Sequence, residues 1–167
     1  MTEGAAKDPR LFRDVLGRFA TGVTVLTVNV DGELRGMTAN AVSSLSLQPM
    51  LMLVCIDRNA SAHPLWERAE GFGVSILDAS QRHLSELFAR HGPPDEPMGG
   101  APYRTGPFGV PLLEGALGHA SCRIVSRLPG GDHTIVVGEV EEMGIDRPDG
   151  SPLIFFSGAY YQLDGRL

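Results

Sequence analysis

Apolar residues recur along this chain at two spacings. Phe12, Val15, Leu16 and Phe19 stand at i, i+3, i+4 and i+7, which is one face of a helix. Asp8-Pro9 ahead of them supplies an N-cap and a first-turn proline. The helix is predicted to stop by Gly22. From Val23 the pattern changes. "VTVLTVNV" predicts a strand, Asp31-Gly32 a hairpin turn, and Glu33 to about Val42 the return strand. "MLMLVCID" (50–57) predicts a core strand, and "RNASAHPLWERAEG" a short helix with Ser61 as candidate cap. "FGVSIL" predicts another strand. Ser80 is the candidate cap of a helix carrying Leu84, Leu87 and Phe88. "ALGHASCRIVSRL", the turn "PGGD" and "HTIVVGEVEEMGI" predict a second hairpin. "PLIFFSGAYYQL" predicts one closing strand.

That gives six or seven strands against two or three short helices, joined mostly by tight turns. Two-residue hairpins join only antiparallel strands. The expected fold is mainly β, antiparallel, and closed into a barrel so that no edge is left bare. Residues 92–111 hold six of the twelve prolines and five glycines. They are predicted as a long irregular loop of the kind that covers a site, not as a linker, because strand patterns resume beyond it. One domain over residues 1–167 is expected. The closing strand is apolar on both alternating faces, whereas a strand with one wet face alternates with polar residues. A second subunit is therefore expected to cover it, in a two-fold homodimer.

Composition narrows the function. A net charge of −6 argues against general nucleic-acid binding, which needs a basic surface. No apolar run is long enough to cross a bilayer, and "MTEGAAKDPR" has no apolar leader core, so a cytoplasmic, non-membrane protein is expected. Cys55 and Cys122 lie in apolar runs and read as reduced, buried thiols rather than a redox pair. The five histidines show no H-x-x-x-H spacing and no cluster with cysteine, so no metal site is expected. There is no phosphate loop and no nucleophile elbow. "GFGVSI" has two glycines but not the third of a dinucleotide fingerprint.

What remains is an unusual stretch. No charged side chain stands between Arg35 and Asp57, yet Thr38, Asn40, Ser43, Ser44 and Ser46 put five small polar groups into nine residues. Hydroxyls, an amide and backbone N–H groups suit a flavin, whose ring has a polar edge and a broad apolar face. Its phosphate wants several donors, and Arg58 follows the next strand. The same row also reads as a polar edge strand facing water. His133, at the mouth of a strand after Gly130-Gly131-Asp132, suits either a nicotinamide carboxamide or a plain turn.

The segments "FRDVLGRFATGVTVLT", "GMTANAVSSLSLQPMLMLVCID", "RNASAHPLW", "GGDHTIVVGEV" and "PLIFFSGAYYQL", in this order over residues 11–163, resemble the flavin reductase family. These are the reductase components of two-component flavin monooxygenases. The resemblance implies an FMN-binding split β-barrel, Greek-key-like and homodimeric. It implies hydride transfer from NADH or NADPH to FMN, or FAD, and delivery of reduced flavin to a separate monooxygenase. Under it, Thr38, Ala39 and Asn40 lie along the ring and ribityl chain. Ser43, Ser44, Ser46, Arg58 and Ser61 surround the phosphate, and Cys55, Ile56 and Asp57 offer backbone groups to the ring. His133 positions the nicotinamide, and Tyr160 approaches the flavin from its own or the other subunit. An FMN-binding electron carrier or sensor without NADH turnover, and a non-catalytic barrel module, are the rival readings.

Overall fold

The computed structural model describes residues 8–90, 92 and 96–165. Residues 1–7, read above for a leader, and 91 and 93–95 of the proline-rich loop lie outside them. Helix α1 (Pro9–Leu16) starts where the sequence places it. The Asp8 carboxylate accepts from the Arg10 N–H at 2.8 Å, and Pro9 opens the first turn. It ends at Gly17, five residues short of the predicted stop. The residues after it form the short strand β1 (Thr21–Gly22).

Seven strands make one antiparallel sheet: β2 (Thr24–Val30), β3 (Glu33–Ala39), β4 (Val42–Leu47), β5 (Met50–Asp57), β6 (Gly71–Ile76), β9 (Gly118–Gly130) and β10 (His133–Ile145). Their order is β3-β2-β6-β9-β10-β5-β4. The stretch read as one return strand to Val42 is in fact two strands. β3 ends at Ala39, Asn40-Ala41 break the run, and β4 pairs with β5 instead. So β3 and β4 stand at opposite ends of the sheet, joined by two residues, and no ladder links them. The barrel is split there. The Asp31-Gly32 hairpin forms as predicted, with both residues at positive φ (53° and 86°), the geometry that matches strand twist.

The sheet wraps a core of Leu26, Val28, Val54, Ile56, Phe72, Cys122 and Val136. Helix α2 (His63–Arg68) plugs it with Trp66, whose ring lies 5.6 Å from that of Phe72. Ser61 does not cap α2; Ala62 holds that position without a side-chain bond. The helix is held at its other end, where Arg127 donates to the carbonyls of Trp66 and Ala69.

A second core lies outside the sheet. Val23, Val25, Leu77, Leu84, Phe88, Met98, Leu113 and Leu153 pack between the strands, helix α3 (Arg82–Phe88) and the long loop. Asp78, not Ser80, caps the turn that leads into α3. The described part of the loop carries two short strands, β7 (Tyr103–Thr105) and β8 (Pro111–Leu113), and is fastened down. Buried Thr27 Oγ1 donates to the Pro111 carbonyl at 2.6 Å, and Leu113 N–H donates to Ser75 Oγ at 2.9 Å. It is a fixed cover of the outer sheet face.

The closing segment is a hairpin, not one strand: β11 (Ile154–Phe156) turns at Ser157-Gly158 into β12 (Ala159–Tyr161) and pairs with β1. Ser-Gly is a turn dipeptide, but apolar residues resume directly after it, which is why the pattern reads as continuous. No helix among the described residues is long and apolar enough to cross a membrane.

Candidate functional site

Strand β3 ends the sheet, so one side of its backbone has no ladder partner. A cavity of about 420 Å³ runs along that open edge. Six consecutive residues, Arg35 to Asn40, line it. Side chains alternate across a strand, so contact with six in a row means that the cavity meets β3 side-on, along its backbone.

The alternation also sets the walls. Met37 and Ala39 pack toward the core that holds Ala62, Leu65 and Trp66. On that side the loop after β5 supplies Asp57, Asn59, Ala60, Ser61 and Ala62. Gly36 and Thr38 face α3, which with the two residues after it supplies Ser85, Phe88, Ala89 and Arg90. Thr38 Oγ1 donates to the Ser85 carbonyl at 2.6 Å, tying the floor to that wall. A Cβ on Gly36 would lie 2.7 Å from the Phe88 ring, so only glycine lets α3 come this close. Phe155 and Tyr160 complete the lining; the Tyr160 hydroxyl is 2.8 Å from Ser85 Oγ, and Arg82 stacks over its ring at 5.2 Å.

Charge is unevenly placed. Arg35 and Arg90 fall at the same end, because α3 pairs with β3 in the order Ser85 with Thr38, then Phe88 with Gly36. Asp57, on the loop side of the cavity, has its Oδ1 occupied by the Asn59 N–H at 2.8 Å. The loop is pinned further by Arg58 N–H to the Asp132 carbonyl (3.0 Å) and His63 Nε2 to Thr134 Oγ1 (2.9 Å).

The structure gathers Thr38, Ala39, Asn40, Asp57, Ser61 and Tyr160 of the expected site residues around this one cavity. The others lie outside its lining. Ser43, Ser44 and Ser46 are exposed or partly exposed on β4, with Ser43 and Ser46 hydroxyls engaged locally. Ile56 is fully buried in the barrel core, and the Cys55 N–H is taken by the Ala41 carbonyl at 3.1 Å. The Arg58 side chain faces solvent. His133 pairs with Asp57 across the β10–β5 ladder, which sets it beside the cavity rather than in its lining. Its Nδ1 is 2.7 Å from the Asp132 carboxylate, and that hydrogen bond holds the Asp132 carboxyl below its usual range. The ring proton on Nδ1 therefore points to Asp132. Nε2 has no partner among the described residues.

Arg35, Gly36, Met37, Asn59, Ser85, Phe88 and Arg90 are lining residues that the sequence patterns did not assign to the site. Only Arg35, which bounds the charge-free stretch, carried a visible signal. Cys122 is chemically quiet: burial pushes its thiol up to about 12. It is separated from Cys55 by the whole of β10, about 9–10 Å at ordinary strand spacing and beyond disulfide reach. No His, Cys, Asp and Glu cluster able to hold a metal occurs among the described residues.

The donor set fits a flavin. An open strand edge and the Asn40 and Asn59 amides suit the polar ring edge, Met37 and Phe88 the apolar face, and the arginine end a phosphate.

Comparison with known proteins agrees. Residues 16–164 match the model of the flavin reductase like domain. The chain is 42% identical over 173 residues to an NADH-dependent flavin reductase of a Rhodococcus species, covering 98% of this chain and 94% of the other. It is 41% identical to the reductase component of 4-hydroxyphenylacetate 3-monooxygenase from Thermus thermophilus, with 91% and 95% covered. The solved structure of an NADH:FAD oxidoreductase from Streptomyces globisporus superposes with a TM-score of 0.90 at 36% identity, with 99% of each chain covered. With nearly its whole length matched in sequence and in fold, the chain belongs to the flavin reductase like domain family.

Proposed function

We propose that this protein is an NADH:flavin oxidoreductase that reduces FMN and hands it to a separate monooxygenase. The observation that carries the proposal is the cavity along the open edge of β3, in a chain whose relatives bear that activity in their names. When bound, the flavin supplies the hydride acceptor. The protein's part is placement. The β3 backbone and Asn40 hold the polar edge of the ring. Ser61, Arg35 and Arg90 take the phosphate. His133, with Nε2 unpartnered among the described residues, orients the nicotinamide carboxamide at the open side of the site. No side chain acts as acid or base. FMN is our choice of flavin because the cavity has one cationic end and a volume near the low end of ligand pockets. The two unpaired thiols and the use of NADH suit the cytoplasm.

A homodimer belongs to the same proposal. Helix α1 buries none of its residues; Phe12 is 67% exposed with Leu11, Val15 and Leu16 beside it, and Phe19, three residues beyond the helix end, is 73% exposed. An amphipathic helix is stable only when its apolar face is covered, and a second copy supplies that cover. Light scattering is expected to give a dimer, and Phe12→Asp with Phe19→Asp to give monomers; a wild-type monomer at micromolar concentration contradicts this. The activity itself is tested by steady-state NADH oxidation with FMN, FAD or riboflavin. Turnover dependent on added flavin supports the proposal. Flavin binding without NADH oxidation favours a carrier, and a protein that ignores flavin favours a non-catalytic module.

A further inference from the structure

Arg35 and Glu33 form an ion pair beside the cationic end of the cavity. They stand two apart on β3, hence on the same face. The Arg35 side chain is 12% exposed and lines the cavity; the Glu33 side chain is 54% exposed and does not. Among the described residues Glu33 is the sole partner of the Arg35 guanidinium, and it engages one of the five N–H donors. The other donors of the fork are unspent, and Arg35 lies in the cavity lining, on the β3 face it shares with Met37 and Ala39. Arg90 at the end of α3 has no ion pair among the described residues and reaches the same end from the other wall.

We propose that Glu33 is an internal competitor for the flavin phosphate. It holds Arg35 when the site is empty and must yield part of the guanidinium when a phosphate arrives. This rests on the flavin reading of the cavity and adds a role to a residue outside it. A guanidinium binds a phosphate best in a bidentate fork, and a carboxylate on one prong opposes that geometry and adds a like charge next to the incoming anion. Exposure limits the strength of the Glu33 bond, so the carboxylate weakens phosphate binding without preventing it. For a protein that must let its reduced flavin go, such a competitor speeds release. The effect is confined to flavins that carry a phosphate, because riboflavin offers Arg35 nothing to bind.

The test is fluorescence titration of FMN and riboflavin into wild type, Glu33→Gln, Arg35→Gln and the double variant. Wild type must bind both flavins; failure to bind either overturns the flavin reading and this proposal with it. Given binding, Glu33→Gln is expected to tighten FMN about three- to fivefold, since exposed pairs are worth little, and to leave riboflavin within twofold. Arg35→Gln is expected to weaken FMN at least about tenfold, as loss of a charge-assisted bond does, again with riboflavin within twofold. Adding Glu33→Gln to Arg35→Gln is expected to change nothing further. The proposal is overturned, with the flavin reading intact, if Glu33→Gln leaves FMN affinity unchanged or weakens it. It is also overturned if Arg35→Gln weakens riboflavin as much as FMN, or if Glu33→Gln keeps its effect when Arg35 is gone.

Discussion

Gly36→Ala offers a test of how tightly the cavity floor and wall are fitted. The Gly36 backbone is ordinary extended strand, so alanine meets no φ/ψ strain and slightly favours the strand. The perturbation is steric alone. The new Cβ would lie 2.7 Å from Cδ1 and Cε1 of Phe88 and 3.3 Å from Cε of Met98. Carbon atoms rest about 3.5–4.0 Å apart, so the phenyl ring must retreat by roughly 1 Å. Met98 is flexible and can adjust; Phe88 sits in the outer core with Leu84 and Met98 behind it. The ring has two ways out: it shifts α3, or it tilts into the cavity. Overpacking of this size costs about 1–3 kcal/mol. If the ring tilts into the cavity, the cost falls on the bound state and FMN affinity drops about 5- to 150-fold. If α3 shifts, the cost falls on the fold, and the melting temperature drops by about 2–4 °C per kcal/mol. Fluorescence titration with FMN beside a thermal melt on the same preparation reads the partition. Unchanged affinity together with an unchanged melting temperature would refute the close contact and the wall built on it.

Three further outcomes are expected. His133→Ala should lower kcat/KM for NADH at least tenfold, because misplacing a hydride donor by about 1 Å can cost a hundredfold, while the FMN dissociation constant moves less than about threefold; equal loss in both would place His133 in the flavin site. Tyr160→Phe takes a partner from the fully buried Ser85 hydroxyl and should cost about 1 kcal/mol, read as a melting temperature lower by about 2–4 °C. Asp78→Asn should cost about 1–3 kcal/mol at neutral pH, since buried Asp78 accepts from Ser80 Oγ and N–H and from the Ser151 N–H. The Asp78 carboxyl is held below its ordinary value, first by the Ser80 hydroxyl bond and against the opposing effect of burial. Its contribution is therefore complete above the unfolded value of about 3.9 and lost as pH falls through the lower folded one. The gap between wild type and variant should close in acid, and a gap independent of pH would refute the assignment.

Much of the fold was legible because its signals are local. The Asp8-Pro9 start, the Asp31-Gly32 turn and the β9–β10 hairpin each depend on a few adjacent residues, and each forms. The misses share another cause. The break at Asn40-Ala41 is set by which partner each half of the stretch finds, β2 for one and β5 for the other, and pairing is not written in local composition. The terminal hairpin was hidden because the apolar run resumes directly after Ser157-Gly158. The site was half legible for the same reason. Thr38 and Asn40 stood out as small polar groups in an uncharged stretch, and Ser61 as a candidate helix cap just beyond it. Their opposite wall, Ser85, Phe88 and Arg90, reads as an ordinary helix face until the fold lays it against β3. Thr38 itself was chosen for its hydroxyl, yet that hydroxyl is committed to the Ser85 carbonyl; what the position offers a ligand is backbone and place.

The flavin is expected to lie along the open edge of β3 rather than over the serines of β4. Hydrogen exchange with and without saturating FMN distinguishes the two directly, because a bound ring shields the amides it covers. Protection is expected in residues 35–40 and 57–62, with residues 43–46 unchanged. Protection confined to residues 43–46, with none along 35–40, would contradict that placement.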